Sequence, residues 1–224
     1  MELNADFSRR VLVHSDQEPW QPSPSPGVER RMLDRIGGEV ARATSIVRFA
    51  PGQSFSPHTH GGGEEFIVLD GVFQDEHGDY PAGTYVRNPI GTSHTPHIGP
   101  EGATILVKLC QFDDADTEQK VIDARNAAFR RGEADGQEVL PLHSVPSEDV
   151  TLQRWAPGTV LSAHAHPGGQ EIFVLEGSFS DEHGSYPAGT WIRNPHMFRH
   201  EPRTEEGCVL WTKTGHLPRA DAAA

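Results

Sequence analysis

Residues 58–64 read His58-Thr59-His60-Gly61-Gly62-Gly63-Glu64, and a third histidine, His94, follows later in the chain. The same spacing recurs 106 residues on, as His164, His166, Gln170 and His200. The chain has 13 histidines, so one such set can arise by chance. Two sets in one register instead indicate a duplicated domain built around a metal site.

The duplication extends well beyond the histidines. Residues 51–98 and 157–204 align without a gap and are identical at 26 of 48 positions. The shared segments include Asp75-Glu76-His77-Gly78, Tyr80-Pro81-Ala82-Gly83-Thr84 and Arg87-Asn88-Pro89. A chain of 224 residues can form two domains that each bury a core. We therefore predict domains at 1–112 and 113–224, divided near the acidic stretch 113–116.

Short apolar segments separated by glycine and proline predict an all-β fold. Val68-Leu69, Val72-Phe73 and Ile105-Leu106-Val107 are typical, and helical periodicity is nearly absent. The pattern favours an antiparallel sandwich or barrel. Residues 117–131 look helical at first, but their counterpart in the first half, 10–14, reads as a strand. Since duplicated sequences should fold alike, we predict a strand in both copies.

The composition limits the classes of binding partner that we expect. The chain has 32 acidic and 19 basic residues, a net charge of −13, which argues against nucleic acid and anionic membranes. No signal-like start and no run of 18 apolar residues is visible. The two cysteines, Cys110 and Cys208, occupy non-equivalent places in the repeats, so we expect free thiols and a cytoplasmic protein.

Strand parity identifies the candidate carboxylate. His58 and His60 are two residues apart, so on a strand both side chains leave the same face. The same parity continues to Glu64. The intervening glycines can shift that parity, so Glu65, and Glu171 in the second copy, remain alternatives.

Three imidazoles and one carboxylate suit a divalent first-row metal with open coordination positions. We expect Fe²⁺ or Zn²⁺, with Mn²⁺ or Ni²⁺ as alternatives. In the second copy Gln170 replaces the carboxylate and Met197 replaces Gly91. A glutamine ligand carries no charge, so the second set should hold metal less tightly than the first.

Other repeated residues have simpler interpretations. His77 and His183 precede a glycine between two strands and read as turn residues. Arg87-Asn88 should organise the turn before His94 rather than bind substrate. The aromatic pair Tyr85 and Trp191 reads as packing.

The spacing resembles that of a known family. Gly52-x5-His58-x-His60-x3-Glu64-x6-Gly71 and Gly83-x5-Pro89-x-Gly91-x2-His94 resemble the two cupin motifs. The Asp-Glu-His-Gly, Tyr-Pro-Ala-Gly-Thr and Arg-Asn-Pro segments resemble the ChrR-like cupins. That group is named after the C-terminal half of a zinc-binding anti-sigma factor. The resemblance implies a bicupin of two tandem double-stranded β-helix, or jelly-roll, barrels. The helical zinc domain of the anti-sigma factor has no counterpart here, so the resemblance does not imply sigma-factor binding.

Three functional hypotheses follow. The first is a metal-dependent enzyme, of non-haem dioxygenase type, acting on a small oxygenated organic molecule. The second is a non-catalytic zinc-binding sensor, and the third is a scaffold bicupin whose metal sites have decayed. Oxalate decarboxylation is a narrower option that needs two manganese sites and an acidic lid, and no lid carboxylate can be picked out. A small molecule is the expected partner, and the family resemblance allows a homodimer.

Overall fold

The computed structural model describes residues 1–38 and 40–218. Within these ranges the regular structure is β-strand apart from one 3₁₀ turn, Ser15–Gln17. The strands of the first part of the chain are β1 (Glu2–Leu3), β2 (Val11–His14), β3 (Gln21–Pro22), β4 (Val28–Gly37), β5 (Ala41–Phe49), β6 (His58–Thr59), β7 (Glu64–Asp75), β8 (Gly78–Pro81), β9 (Thr84–Asn88), β10 (Ser93–His94), β11 (His97–Leu109) and β12 (Lys120–Asp123). Those that follow are β13 (Arg130–Arg131), β14 (Gln137–Val145), β15 (Glu148–Trp155), β16 (His164–Ala165), β17 (Gln170–Asp181), β18 (Gly184–Pro187), β19 (Thr190–Asn194), β20 (Arg199–His200) and β21 (Cys208–Thr214).

The chain forms two compact units. The first comprises Met1–Ala5 and Gln17–Ala127, and the second comprises Asp6–Asp16 and Ala128–Ala224. The predicted ranges, 1–112 and 113–224, put residues 6–16 in the first domain and residues 113–127 in the second. The structure instead assigns 6–16 to the second unit and 113–127 to the first. The reason is strand pairing: β2 pairs antiparallel with β19 of the second unit, and β12 pairs antiparallel with β9 of the first.

The first unit is built on one long antiparallel sheet. Its strand order is β1-β4-β5-β11-β7-β9-β12, with β3 on β4 and β8 on β7, and β6 and β10 form a separate pair. Alternation along β7 turns Phe66 and Val68 to the core, where Phe73, Tyr80 and Ile105 pack against them. Aromatic rings meet edge-on within this core.

The second unit repeats this plan. Its sheet has the order β13-β14-β15-β21-β17-β19-β2, with β18 on β17, and β16 pairs with β20. Its core contains Trp155, Ile172, Val174, Phe179 and Leu210. The all-β fold predicted from the short apolar segments is thus confirmed, and two units of one plan agree with the tandem barrels that the cupin resemblance implied.

A glycine repeated in both units marks a close backbone approach. Gly71 has φ +69°, and a Cβ there would collide with the carbonyl oxygen of Gly102. Gly177 has φ +67° and stands in the same relation to Gly207. Only glycine fits such a position without moving the neighbouring strand.

Several smaller expectations have clear outcomes. The helix-like segment 117–131 contains β12 and β13, as its counterpart in the first half predicted. His77 and His183 lie in the β7–β8 and β17–β18 turns, and Tyr85 and Trp191 are fully buried. Cys110 and Cys208 are free thiols. The described part of the chain holds no helix with the length and hydropathy that a bilayer span requires.

Candidate metal centres

Strand pairing brings the first histidine set together. β6 and β10 pair antiparallel with His58 opposite His94. His60 follows β6 directly, and its backbone N–H donates to the carbonyl of Thr92. Glu64 opens β7 after the glycine run. Residues from three separate segments thus come together.

The four side chains converge through their ligating atoms. His94 Nε2 lies 3.2 Å from His58 Nε2. Glu64 Oε1 lies 3.5 Å from His60 Nε2 and 3.8 Å from His94 Nε2. One ligating atom from each of the four residues lies within 4.8 Å of all the others. The structure therefore gathers His58, His60, Glu64 and His94, the set that the repeat and strand parity predicted.

The other ring nitrogens are held away from the cluster. His94 Nδ1 donates to Asp75 Oδ2 at 3.1 Å, which leaves its Nε2 unprotonated in the neutral ring. Thr92 Oγ1 donates to the Pro89 carbonyl, so it accepts from His60 Nδ1 at 3.0 Å. Buried His60 Nε2 has no hydrogen-bond partner. Such orientation of Nε2 lone pairs by partners on Nδ1 is typical of metal-ligating histidines.

Burial favours the neutral form of two of these rings, His60 and His94. It lowers the pKa of His60 to about 4, with His94 and His58 adding to the effect. Burial also lowers the pKa of His94, although Asp75 opposes the shift. Neutral imidazole is the form that binds metal. Burial raises the pKa of the Glu64 carboxyl to about 7, and the hydrogen bond from Asn88 opposes it. An isolated carboxylate is costly in this position, and a cation would offset that cost.

Glu65, the alternative carboxylate, lies outside the cluster. Its Oε2 accepts hydrogen bonds from the Tyr85 hydroxyl at 2.8 Å and from Arg87 Nη1 at 3.0 Å. The role expected for Arg87-Asn88 needs correction, because both side chains are buried and make long-range contacts. Arg87 pairs with Glu65 and Asp116, while Asn88 Nδ2 donates to Glu64 Oε1 at 3.4 Å.

The second histidine set has the same construction. β16 and β20 pair with His164 opposite His200, and His166 follows β16. The ring centroid of His164 lies 4.8 Å from the centroids of His166 and His200. The centroids of His166 and His200 lie 5.9 Å apart. Buried His166 Nε2 and His200 Nε2 have no hydrogen-bond partner. Burial lowers the pKa of His166 to about 4, and His164 and His200 add to the effect.

Gln170 occupies the place of Glu64. It lines the same cavity as the three histidines, and its Oε1 accepts from Asn194 Nδ2 at 3.2 Å. Glu171 does not line that cavity and accepts a hydrogen bond from His216 Nε2 at 3.0 Å. The second set is thus three histidines and an amide. Met197 adopts φ +60°, the left-handed conformation that Gly91 has in the first unit.

The sequence patterns did not identify the groups that hold the candidate ligands in place. Asp75 and its repeat Asp181 accept from His94 Nδ1 and His200 Nδ1, the second at 3.4 Å. Both copies of the repeat have aspartate at this place, and that was the sequence signal that could have identified the pair.

A second missed group lies beside β12 and β2, the two strands that pair outside their predicted domains and are called the exchanged strands below. Gln119 Nε2 donates to Asn88 Oδ1 at 3.1 Å, and Arg10 Nε donates to Asn194 Oδ1 at 2.9 Å. In each unit, a side chain just before the exchanged strand therefore holds an asparagine amide in place. That amide in turn contacts the fourth candidate ligand, which is Glu64 or Gln170.

The geometry agrees with a comparison to protein families. The family model described as the ChrR Cupin-like domain matches the chain twice, at residues 8–113 and 117–218. The chain belongs to this family. It is a bicupin with candidate His/Glu metal sites, and such donor sets are suited to a divalent metal.

Solved structures share the bicupin fold at low sequence identity. A Nostoc punctiforme protein proposed to be a dioxygenase has a TM-score of 0.77 and 13% identity, covering 95% of this chain and 85% of its own. A Pseudomonas aeruginosa protein proposed to be glyoxylate-induced has a TM-score of 0.73 and 14% identity, covering 94% and 89%. Bacillus subtilis oxalate decarboxylase, described with Mn(II) centres, has a TM-score of 0.62 and 15% identity, covering 93% and 78%. No curated protein sequence matches the chain.

Proposed function

We propose that this bicupin binds a divalent metal in each unit and acts on a small organic molecule, with an activity of non-haem dioxygenase type. One observation carries the proposal: three histidine rings converge in each unit, and His60 Nε2 in the first and His166 Nε2 and His200 Nε2 in the second are buried without a hydrogen-bond partner. Buried polar atoms without partners are rare, and a cation in each unit is the simplest partner for these atoms.

The residues that would hold the metal follow from this geometry. In the first unit they are His58, His60, His94 and Glu64. In the second unit they are His164, His166 and His200, with Gln170 beside them. A four-residue set leaves one or two positions of an octahedral metal for exogenous ligands. A bound Fe(II) would supply Lewis acidity and one-electron redox chemistry there.

The chain's own groups prepare the site for this role. Asp75 fixes the ring of His94 and its tautomer, while Thr92 does the same for His60. Asn88 holds the carboxylate of Glu64 toward the rings. A metal bound here would meet donors that are already oriented, and it would favour the ionised form of Glu64, whose pKa burial raises to about 7.

Anaerobic purification followed by metal analysis and oxygen-consumption measurements tests the enzymatic proposal. We expect iron or manganese at up to two ions per chain, and oxygen uptake that depends on an added organic substrate. His58→Ala should remove the ion of the first unit without unfolding the second. Full metal retention in that variant would contradict the ligand assignment.

A zinc-binding sensor is the second candidate, and the family match favours it, since that family is described by its likeness to ChrR. Zinc has no redox chemistry, so a sensor would respond through ligand exchange or ligand oxidation. Stoichiometric zinc in protein purified anaerobically, without oxygen uptake on any substrate, would support the sensor and exclude the enzyme.

A further inference from the structure

The two barrels have differently lined interiors. In the first unit, Ser45 pairs with Val107 and Val47 pairs with Ile105, on β5 and β11. The equivalent strands of the second unit, β15 and β21, pair Thr151 with Thr212 and Gln153 with Leu210. The equivalence is fixed by the register, because Phe49 pairs with Ala103 and Trp155 pairs with Cys208 at the same place.

In the first unit three of these four places are apolar, and Ser45 is the exception. Ile105 and Val107 belong to its buried core, and Val47 and Leu109 pack against them. In the second unit the hydroxyls and amide at equivalent places gain nothing from burial unless they find partners. Polar groups there indicate an interior adapted to something other than packing.

A large cavity occupies that interior. Its volume is about 990 Å³, at the upper end of the roughly 300–1,000 Å³ typical of ligand pockets. His164, His166 and His200 line it together with Thr151, Gln153 and Thr212. Ile172, Phe179 and Leu210 provide an apolar side. We call Thr151, Gln153 and Thr212 the polar wall. This wall and the three histidines therefore face the same space.

The polar wall is a preorganised hydrogen-bond network. Gln153 Oε1 accepts from Trp155 Nε1 and from Gln137 Nε2, both at 3.0 Å, so the amide has a fixed orientation. Gln153 Nε2 then donates to both threonine hydroxyls at 3.3 Å. The hydroxyls of Thr151 and Thr212 lie 2.8 Å apart and share one hydrogen bond. One hydroxyl hydrogen thus remains for a ligand or water.

The cavity carries little positive charge. The charged residues that line it are one basic and three acidic, and all four are exposed: Arg131, Glu133, Asp135 and Asp149. Arg131 is already paired with Asp135. Gln170 is uncharged, so the candidate ligands of the second unit carry less negative charge than those of the first unit, which include Glu64. Nothing at the polar wall offers the bidentate cation that usually recognises a carboxylate.

We propose that the second unit is the substrate-binding unit, and that its cavity takes an uncharged organic molecule carrying hydroxyl or carbonyl groups. Thr151, Thr212 and Gln153 would bind these groups, and the apolar side would contact the carbon skeleton. The inference rests on the proposed function for the chemistry that the bound molecule undergoes at the histidine set.

Calorimetric titration with neutral and anionic partners of one skeleton tests the inference. The probes are xylitol against xylonate and methyl mandelate against mandelate, added to protein whose metal content is measured in the same preparation. The test variant is Thr151→Val with Thr212→Val, which keeps shape and removes both hydroxyls. Ser45→Ala, at the equivalent place in the first unit, is the control, and thermal unfolding verifies that both variants fold.

We expect saturable binding of at least one neutral probe, weakened about tenfold in the double variant, as the loss of two hydrogen bonds predicts. Binding should be unchanged in Ser45→Ala, and each carboxylate should bind more weakly than its neutral partner. Failure of both neutral probes, tighter binding of a carboxylate, or an unaffected double variant would each overturn the inference.

The two proposals fail separately. Protein without bound metal that still binds a neutral probe through Thr151 and Thr212 would retain the cavity inference and refute the proposed function. Protein with stoichiometric metal that binds neither neutral probe would refute the cavity inference alone.

Discussion

Replacing Asp75 with asparagine should weaken metal binding in the first unit without removing a ligand. Asp75 Oδ1 accepts from the Tyr80 hydroxyl and from two backbone N–H groups, while Oδ2 accepts from His94 Nδ1. In Asp75→Asn the amide oxygen keeps the first three bonds, so the NH₂ group faces His94 Nδ1. Two donors then oppose each other unless the ring moves its proton to Nε2, the atom that would bind metal.

The expected magnitude follows from the burial of the pair. Both side chains are almost fully buried, so water cannot replace the lost hydrogen bond. Loss of the partner that orients a metal-ligating histidine typically costs 10–100-fold in affinity, or about 1.4–2.7 kcal/mol. The equivalent Asp181→Asn should cost less in the second unit, because the Asp181–His200 contact is longer, at 3.4 Å.

The assay is competition of the protein with a chromophoric chelator for Zn(II). A background of His164→Ala with His200→Ala restricts binding to the first unit. Asp79→Asn is the matched control, since it removes the same charge from an exposed carboxylate that contacts only Gln74 among the described hydrogen bonds. Unchanged affinity in Asp75→Asn, or an equal loss in Asp79→Asn, would refute the reasoning.

Three further predictions concern other parts of the molecule. Glu64→Gln combined with Gln170→Glu should exchange the affinities of the two metal sets by about tenfold, measured by the same competition, because the carboxylate charge moves between them; an unchanged ranking would contradict this. Gly91→Ala should lower the free energy of unfolding by about 1 kcal/mol, since Gly91 has φ +86° with open space around it, whereas Gly61→Ala, open and outside the left-handed region, should not. Burial raises the pKa of the Cys208 thiol to about 12, so the folded chain should resist thiol reagents there from pH 7 to 9; two equivalents reacting with the folded protein would be the contrary result.

The repeat made most of the fold and the first cluster of candidate ligands predictable. Strand parity correctly placed Glu64, rather than Glu65, beside His58 and His60, although three glycines intervene. The duplicated sequence also predicted a strand within 117–131, where helical spacing alone was misleading, and the structure has β12 there at Lys120–Asp123. In the second case one copy resolved an ambiguity in the other.

The exchange of edge strands could not be predicted in the same way. The edge strands β9 and β19 read Thr-Tyr-Val-Arg-Asn and Thr-Trp-Ile-Arg-Asn, so they offer nearly the same surface to a partner. Val11–His14 satisfies backbone hydrogen bonding equally well on either edge. The choice depends on chain connectivity in three dimensions, which local sequence does not encode.

The cavity of the second unit was also beyond the sequence patterns. Thr151, Gln153 and Thr212 read as ordinary polar residues on alternating strands. Only the register shows that Gln153 and Thr212 replace the apolar Val47 and Val107 of the first unit, while Thr151 stands at the place of Ser45.

Counting the metal ions on the intact chain by native mass spectrometry tests the central claim most directly. The protein purified without chelators should carry at least one divalent ion, and His58→Ala should carry one ion fewer than the same preparation of the unmodified chain. A protein that binds no divalent ion after exposure to iron, manganese and zinc, or a His58→Ala variant with an undiminished count, would contradict the account.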